Sequence, residues 1–309
     1  MLRFSRIAVV LAVTALASAG VSAAAAAAPT GSAVVRVMAN QGKAAAYWTP
    51  DRMRHALPGD RLVADDVRKA RQNGSLSHLV ERGQPQSAQA IAAAPNIAPI
   101  AHIGKVFMTL DGTDYVCSGN SVTSGNHDVV ATAGHCVKDG SGSWVSNFVF
   151  VPDYNNGSEI YGEYSARTVV TTSGWANSGD LNYDTGFAVM AANGSEHVNN
   201  GVGASGVAFN QSRGRAYTLY GYPAAPPFNG ETLQTCSGTA RQDSQGSTDQ
   251  GVSCTMTGGS SGGPWFLGSG ANGQQNSINS FGYNNIANVM WGPYWGSQIQ
   301  GAYNTASAA

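Results

Sequence analysis

The residue best suited to chemistry is a serine surrounded by glycines, in the run Gly258-Gly259-Ser260-Ser261-Gly262-Gly263. Glycine lets the backbone take a positive φ and approach a ligand closely. A loop of this kind can expose the Ser261 hydroxyl and aim neighbouring N–H groups at one point, as an oxyanion requires. The same composition also occurs in flexible surface loops. Ser261 is therefore a candidate nucleophile, and it needs a base from elsewhere in the chain.

His135 is the candidate base. It follows the apolar stretch Val129–Ala133 across Gly134 and precedes Cys136, so we expect its ring at the end of a strand, beside a crosslink. A histidine next to a cysteine also occurs as a purely structural residue. The other histidines fall in the N-terminal region, near its boundary or in polar Gly/Asn-rich stretches: His55, His78, His102, His127 and His197.

The four cysteines predict two disulfides. In an exported chain an even number of cysteines indicates disulfide bonds, although four cysteines allow three pairings. We expect the local pairings Cys117–Cys136 and Cys236–Cys254, because each would join neighbouring strands of one β unit. Each is worth about 3 kcal/mol in the chain-entropy model. No Cys-x-x-Cys pair occurs, which disfavours a zinc site, and we expect neither a metal nor a cofactor.

Two motifs together carry a family resemblance. The runs Ala131-Thr132-Ala133-Gly134-His135-Cys136 and Gly259-Ser260-Ser261-Gly262-Gly263-Pro264 resemble the trypsin/chymotrypsin-like serine peptidases. The resemblance covers about residues 100 to 309 and is closest to the secreted bacterial branch near the glutamyl endopeptidases. It implies two six-stranded antiparallel β-barrels, an active site in the cleft between them, and endopeptidase activity. By motif, His135 is the general base, Ser261 the nucleophile, and the N–H groups of Gly259 and Ser261 the oxyanion hole.

The resemblance also requires an aspartate between the histidine and the serine. Asp184 lies just before the apolar run Gly186–Met190 and is the expected third member. Its carboxylate would hold His135 in the correct tautomer and stabilise the imidazolium. Asp180 is the rival, but it lies further from the strand, in a Ser-Gly-Asp sequence that is typical of a turn.

After residue 100, short apolar runs alternate with turn signals and predict an all-β fold. The length of about 210 residues fits two β units of about 100 residues each, which we place at residues 100–203 and 204–309. A short C-terminal helix is expected over about residues 294–303. The apolar runs are Val106–Leu110, Asp128–Ala133, Phe148–Val151, Ala166–Thr171, Gly186–Met190, Ala216–Tyr220 and Ser280–Tyr283.

The N-terminus has the pattern of a secretory signal peptide. Residues 1–28 contain a basic start, an apolar stretch and small residues around Ala26 and Ala28, as expected for export and cleavage. No later stretch has 18 consecutive apolar residues, so no membrane association is expected once the signal is removed. We therefore predict a secreted, extracellular protein.

Residues 29–99 are predicted to be a pro-segment. Residues 1–99 contain 11 Lys+Arg against 5 Asp+Glu, whereas the remainder contains 6 against 13. A basic, partly helical segment, with charges at helical spacing over about residues 60–77, would shield an acidic mature part by charge complementarity. A disordered linker is the alternative. The acidic mature part disfavours nucleic acid as a partner.

Two further motifs favour other functions and fail on context. Gly259-x-Ser261-x-Gly263 also fits the nucleophile elbow of α/β-hydrolases, but that fold needs a histidine after the serine, and none follows His197. The run Gly201–Gly206 fits a dinucleotide-binding pattern, but no strand precedes it and no helix is expected after it. We interpret this run as the flexible connection between the two β units.

Four residues are expected to bind substrate: Thr255, Ser280, Phe281 and Gly282. Thr255 stands six residues before Ser261, where trypsin-like members carry the aspartate that receives Lys or Arg, so a basic residue before the scissile bond would lack a partner for its charge. Glutamate-preferring relatives place a histidine just before the Ser280 position, and Asn279 stands there. An uncharged, medium or large apolar residue is the predicted preference.

The residue before the nucleophile is Ser260, where animal digestive members carry an aspartate that captures the new N-terminal ammonium. Activation is therefore expected to unblock the site or aid folding, without such an ion pair. We predict a monomeric secreted serine endopeptidase, made as a pro-enzyme, that acts on protein or peptide substrates. The alternative is a catalytically silent homologue that acts as a secreted binding protein.

Overall fold

The computed structural model describes residues 31–39, 43–62, 82–83, 94–268, 270–283 and 285–309. The predicted signal peptide and most of the helix expected over residues 60–77 lie outside these ranges. Among the described residues, no helix combines the length and apolar character needed to cross a membrane. The predicted all-β class is confirmed for the part of the chain after residue 100.

The predicted pro-segment contributes short elements that pack on the rest of the chain. The first strand pairs antiparallel with residues 168–172. The second pairs parallel with Tyr115 and Val116, and the third pairs antiparallel with Gly282 and Tyr283. These elements are β1 (Ala33–Val37), α1 (Ala44–Tyr47), α2 (Pro50–His55), β2 (Leu57–Pro58) and β3 (Arg82–Gly83).

Six antiparallel strands then close into a barrel in the order β8-β7-β4-β5-β6-β9, with β9 pairing back to β8. Alternation builds it: Val106, Met108 and Leu110 point into the interior, whereas Ile103 and Phe107 belong to an outer cluster, as the two-residue period of a strand requires. The strands are β4 (Ile103–Leu110), β5 (Thr113–Ser121), β6 (Val129–Thr132), β7 (Ser146–Pro152), β8 (Tyr164–Thr172) and β9 (Gly186–Met190).

Short helices α3 (Ser173–Ser178) and α4 (Val198–Val202) flank the last strand of this barrel. The predicted flexible connection at residues 201–206 is therefore partly ordered, because α4 ends within it and the next strand begins at Gly206. Val198 and Val202 are buried in the interior cluster of the first barrel. Their burial fixes the connection against that barrel.

The second half contains two five-stranded sheets. One has the order β10-β16-β15-β11-β12, and the other β13-β14-β18-β17-β3. Their shared interior contains Tyr217, Leu219, Val252, Trp265 and Met290. The strands are β10 (Gly206–Val207), β11 (Ala216–Gly221), β12 (Gln234–Thr239), β13 (Arg241–Gln242), β14 (Gln250–Ser253), β15 (Pro264–Leu267), β16 (Gln274–Ile278), β17 (Phe281–Tyr283) and β18 (Ile286–Gly292).

The last element is a helix, α5 (Ser297–Ala308). It begins three residues after the predicted start, at about residue 294, and ends five residues after the predicted end, at about residue 303. Its apolar residues Ile299, Ala302 and Ala306 are buried in the interior cluster of the first barrel. The C-terminal helix therefore packs on the first barrel, although it follows the second half in the chain.

The structure contains both local disulfides. Cys117 of β5 is bonded to Cys136, and Cys236 of β12 is bonded to Cys254, which follows β14. Each bond joins elements of one half only. The first disulfide fixes the turn that carries His135 to the strand β5.

Candidate active site

His135 lies in a 3₁₀ turn, Gly134–Cys136, directly after β6. The side chain is fully buried, and its ring stands 6.3 Å from the ring of Trp175, edge to face. Gly134 has no space for a side chain, because a Cβ there would lie 2.8 Å from both Asp184 Oδ1 and the Trp175 ring. This close approach brings the carboxylate of Asp184 beneath the turn.

Asp184 lies between a 3₁₀ turn, Leu181–Tyr183, and β9. Its Oδ1 accepts the backbone N–H of His135 at 2.7 Å, and its Oδ2 lies 2.8 Å from His135 Nδ1. The Ser280 hydroxyl donates a further hydrogen bond of 2.5 Å to Oδ2. Three donors thus hold a carboxylate that is shielded from solvent, which is the condition for keeping a buried charge.

Ser261 lies in a tight loop with two glycines at positive φ, Gly259 at 94° and Gly262 at 82°. The loop is fixed by backbone hydrogen bonds, from Gly262 N to Asn279 O at 2.7 Å and from Gly263 N to Ser260 O at 2.9 Å. Positive φ is strained for residues with a side chain. The glycine-rich run therefore forms an ordered turn and does not behave as a flexible surface loop.

The serine loop is attached to the first barrel through β5. Ser118 donates its backbone N–H to Ser261 O at 2.7 Å and its hydroxyl to Gly259 O at 3.0 Å. The Cys136 sulfur lies 3.9 Å from Ser261 O. The loop with Ser261 and the turn with His135 are thereby brought to the same place, and the Cys117–Cys136 disulfide lies between them.

The candidate oxyanion donors are the N–H groups of Gly259 and Ser261. Neither donates a hydrogen bond to a backbone carbonyl of the residues that the structure describes. A third loop shields them: Ala224 donates its N–H to Gly258 O at 2.6 Å, and its methyl group would lie 2.7 Å from a Cβ at Gly259.

Asp60 of the predicted pro-segment occupies this site. Its carboxylate would collide with a Cβ at Gly258, and within the described residues neither of its oxygens makes a hydrogen bond of normal geometry. Burial raises the pKa of the Asp60 carboxyl to about 6, although His135, Arg61 and the N–H groups of Asp60 and Gly259 oppose the increase. A carboxyl group thus lies against Gly258 and the N–H of Gly259, one of the two candidate oxyanion donors.

The expected substrate-binding residues follow β14 or lie at β17, both in the second half. Thr255 is buried and accepts the N–H of Ala94 at 2.8 Å. Ser280, Phe281 and Gly282 lie at or next to β17, whose Gly282 pairs with Gly83. The Ser280 side chain is directed to Asp184, so only its backbone is available to a substrate.

Asn279 does not face a pocket. Its Nδ2 donates to Tyr220 O at 2.8 Å and to Ser260 O at 3.0 Å, and its Oδ1 accepts from Trp265 Nε1 at 2.7 Å. Ser260 belongs to the serine loop, whereas Tyr220 and Trp265 lie in the neighbouring strands β11 and β15. The side chain therefore joins the serine loop to these strands.

The rival residues lie elsewhere. Asp180 caps the 3₁₀ turn before Asp184 by accepting the N–H of Asn182 at 3.0 Å. His197 Nδ1 lies 2.8 Å from Asp128 Oδ1, so this histidine has a partner that the sequence does not indicate. His102 Nδ1 lies 2.7 Å from Asn120 Oδ1, and these pairs are separate from the serine loop.

One group has the residue types of a metal site. Potential ligand atoms of Cys117, His135 and Cys136 lie within 4.8 Å of one another. Both sulfurs belong to one disulfide, and a metal binds the thiolate form of cysteine. This group therefore does not fit a metal ion.

Three contacts of the site are not indicated by any sequence motif. They are made by Ser118, by the hydroxyl of Ser280 and by Asp60. Ser118 directly follows a cysteine that belongs to a predicted disulfide near His135, which is the one signal that points to it. Ser280 was expected to bind substrate, and its hydroxyl instead contacts Asp184. Nothing in the sequence distinguishes Asp60 from its neighbours.

Comparison with solved structures finds serine proteases over most of the chain. The protease Anisep from Arthrobacter nicotinovorans is 51% identical, with a TM-score of 0.68, over 69% of this chain and 99% of that protein. The thermostable serine protease AL20 from an extremophilic microorganism is 54% identical, with a TM-score of 0.66, over 68% and 98%. A Glu endopeptidase, 21% identical with a TM-score of 0.55 over 72% and 98%, shares the fold.

Curated relatives match shorter stretches. The extracellular metalloprotease of Bacillus subtilis (strain 168) is 38% identical over 81 residues, which is 26% of this chain and 24% of that protein. The glutamyl endopeptidase of Bacillus licheniformis is 39% identical over 97 residues, 30% of this chain and 29% of that protein. The aligned part thus spans about a quarter of the length of these two relatives. No family model matches the chain.

Proposed function

Because the chain belongs to the chymotrypsin-like serine peptidases, we propose that it is a secreted endopeptidase that cleaves protein or peptide substrates through an acyl-enzyme on Ser261. The observation that carries this proposal is the pairing of His135 with Asp184 at 2.8 Å, next to a serine loop held by Ser118. His135 is the general base, Asp184 orients it, and Ser261 is the nucleophile.

The hydrogen bond to Asp184 decides which nitrogen of His135 is basic. When Nδ1–H is donated to the carboxylate, the lone pair of the neutral ring lies on Nε2. The buried carboxylate also stabilises the imidazolium that forms when Nε2 takes a proton. His135 can therefore take the proton of the Ser261 hydroxyl.

The reaction then follows in two halves. Ser261 Oγ attacks the substrate carbonyl carbon while its proton passes to His135, and the negative oxygen of the tetrahedral intermediate accepts the N–H groups of Gly259 and Ser261. His135 gives the proton to the leaving amine as the C–N bond breaks. A water molecule, deprotonated by His135, hydrolyses the ester and restores the Ser261 hydroxyl.

Substrate backbone is proposed to lie along β17. The backbone pairing of Gly282 with Gly83 supports this, because the same strand edge already accepts an extended segment. We propose that the residue before the scissile bond contacts Thr255 and Phe281. Asn279 brings no charge there, since its side chain is engaged with Tyr220, Ser260 and Trp265, so an uncharged apolar residue remains the proposed preference.

The chain is proposed to be made as a pro-enzyme, secreted by the signal at residues 1–28 and inactive while residues 29–99 remain attached. Asp60 at Gly258 and β3 on β17 support this proposal, because both occupy positions that a substrate needs. The charge complementarity expected from the sequence is represented, among the described residues of the pro-segment, by the ion pair of Arg52 with Asp114 at 2.8 Å.

Labelling with a fluorophosphonate tests the proposed activity. The processed protein should form an adduct on Ser261, and the His135→Ala variant should form none at the same reagent concentration. His197→Ala is the matched control, because it removes another histidine that pairs with an aspartate at 2.8 Å. Absence of the adduct in the folded, processed wild type would favour the silent binding protein. A peptide-library cleavage profile of the same preparation tests the proposed residue preference.

A further inference from the structure

We propose that the first barrel carries a docking surface for residues 32–62 of this same chain, and that this segment stays bound there as an inhibitor after the chain is cut. The docking surface consists of the free edge of β8 and the outer face of β4, β5 and β7. The inference rests on the proposed function, because inhibition needs an activity to inhibit.

The edge of β8 supplies the first contact. Strand β7 pairs with β8 only at Tyr164 and Ser165, so the remainder of that edge has no partner within the barrel. Strand β1 fills it with a five-residue antiparallel register, from Ala33 opposite Thr172 to Val37 opposite Thr168. An unpaired strand edge readily accepts another strand, so the barrel presents a preformed position for β1.

An apolar contact follows on the outer face of the barrel. The side chain of Trp48 is buried, with its ring 5.3 Å from the ring of Phe107, and its Nε1 donates to Asn147 O at 2.6 Å. Met53 is buried in the same cluster, with Val149. A tryptophan that is both buried and hydrogen-bonded is typical of the residues that dominate binding interfaces.

Asp114 of the barrel receives two polar groups from the segment. Its Oδ1 accepts the hydroxyl of Tyr47 at 2.8 Å, and its Oδ2 accepts Arg52 at 2.8 Å. The Arg52 guanidinium also stacks 4.1 Å from the centre of the Tyr47 ring. These contacts fix the orientation of α1 and α2 on the docking surface.

The last contact leads the segment into the active site. Strand β2 pairs with β5, and Gly59 donates its N–H to Val116 O at 2.8 Å. Gly59 has no space for a Cβ, which would lie 2.5 Å from Cys117 Sγ. This close passage places Asp60 against Gly258 and the N–H of Gly259.

Asp60 blocks the site without being a substrate. The group that it presents to the N–H of Gly259 is a carboxyl, not a peptide carbonyl. Attack of Ser261 on a carboxylate carbon would break no C–N bond and release no amine. The segment can therefore occupy the oxyanion hole and remain intact.

None of these contacts depends on the covalent continuity of the chain after Leu62. A cut within residues 63–81 leaves the β1 ladder, the Trp48 contact, the Asp114 contacts and Asp60 unchanged. The segment then becomes a separate chain that binds the same surface. Residues such as Trp48 and Arg52 anchor it, whereas Asp60 blocks the site.

The test uses the full chain with the recognition sequence of a sequence-specific protease inserted twice, within residues 63–81 and within residues 84–93, so that β3 is cut free of the barrel as well. After cutting, we expect the piece with residues 32–62 and the piece with the barrel to co-elute on size exclusion at micromolar concentration, with low peptide hydrolysis that rises on dilution. Trp48→Ala should raise the midpoint of that dilution curve on the order of a hundredfold, as expected for truncation of a buried tryptophan. Asp60→Ala should leave the pieces co-eluting while activity approaches the fully diluted value.

Asp51→Ala, at an exposed position of α2 whose contacts are with Arg54 and His55, is the matched control and should behave as wild type. Immediate separation of the cut wild type with full activity, or an Asp60→Ala complex as inactive as wild type, would overturn the inference. If the diluted Trp48→Ala protein neither hydrolyses peptides nor forms the Ser261 adduct, the proposed function fails, while co-elution still reports on docking.

Discussion

Ser118 and Gly259 are joined by a hydrogen bond of 3.0 Å from the serine hydroxyl to the glycine carbonyl oxygen. The same hydroxyl accepts the N–H of Tyr222 at 2.9 Å, and the Ser118 N–H is donated to Ser261 O at 2.7 Å. One residue of the first barrel therefore holds both residues whose N–H groups are proposed to bind the oxyanion.

Replacing Ser118 by alanine should reduce kcat about fivefold and leave KM nearly unchanged. The loss corresponds to one hydrogen bond of about 1 kcal/mol that keeps the Gly259 amide aligned in the transition state. Steady-state kinetics on a peptide substrate provide the measurement. Ser118→Thr, which keeps the hydroxyl, should restore most of kcat.

Ser121→Ala is the control for this variant. The Ser121 hydroxyl lies in the same strand, is equally buried, donates to Gly203 O at 2.8 Å and accepts from Asn199 Nδ2 at 2.9 Å. Both alanine variants should lose about 1–3 kcal/mol of stability, but only Ser118→Ala should lose kcat. Equal kinetics in the two would remove Ser118 from the positioning of the loop.

Asp184→Asn should reduce kcat by about 10⁴-fold, because an amide in place of the carboxylate favours the wrong tautomer of His135 and cannot stabilise its imidazolium. Asp180→Asn should leave kcat unchanged, since an asparagine can still cap the turn at Asn182. Both are measured as kcat of the processed protein. A large loss in Asp180→Asn with little loss in Asp184→Asn would reverse the assignment.

The inhibition by the pro-segment should weaken as the pH rises. The pKa of the Asp60 carboxyl is 3.8 when free and about 6 when docked, so the docked state binds the proton more tightly. Docking is therefore strongest below about pH 4, weakens between pH 4 and 6, and is constant above. The difference of about two pKa units sets an upper limit of about a hundredfold.

His135 and Arg61 face Asp60, and the reactivity of Ser261 itself also changes with pH. The measurement is therefore the fluorophosphonate labelling rate of the uncut chain, divided at each pH by that of the processed protein. Asp60→Asn, which has no charge to lose, should make this ratio independent of pH. An unchanged slope in that variant would show that another group is responsible.

Removal of either disulfide should lower the free energy of unfolding by about 3 kcal/mol. The two losses should be similar, because the bonded cysteines are 19 and 18 residues apart in the chain. Activity should respond differently. The Cys117→Ala/Cys136→Ala variant should lose kcat, since this bond holds the turn of His135 to the strand of Ser118, whereas Cys236→Ala/Cys254→Ala should retain it. Urea unfolding and kcat of both variants, at a temperature where each is folded, decide the matter.

The sequence was sufficient to propose Ser261, His135 and Asp184, because each lies in a local pattern of glycines or apolar residues. Strand β9 coincides with its predicted run, since Gly186–Met190 is entirely buried and apolar. Strand β16 had no such signal. Its buried Asn276 is polar and is satisfied by Tyr217 and Ala208, which are distant in the chain.

The contacts that complete the site were beyond reach of the sequence for the same reason. Ser118 and Gly259 are 141 residues apart, and Ser280 and Asp184 are 96 apart. A single serine has no pattern of its own that reveals such a partner. The position of Asp60 depends on how β1, α1 and β2 pack on the barrel surface. The number of charged residues in the segment does not predict this packing.

The C-terminal helix α5 contacts the first barrel at the segment that follows β5. Tyr303 donates its hydroxyl to Thr123 O at 2.6 Å, and Asn126 Nδ2 donates to Ala309 O at 2.9 Å. The second half is consequently tethered to the first at both of its ends. Such a two-point tether resists hinge opening, so departure of the inhibitory segment should uncover a cleft whose width is already set.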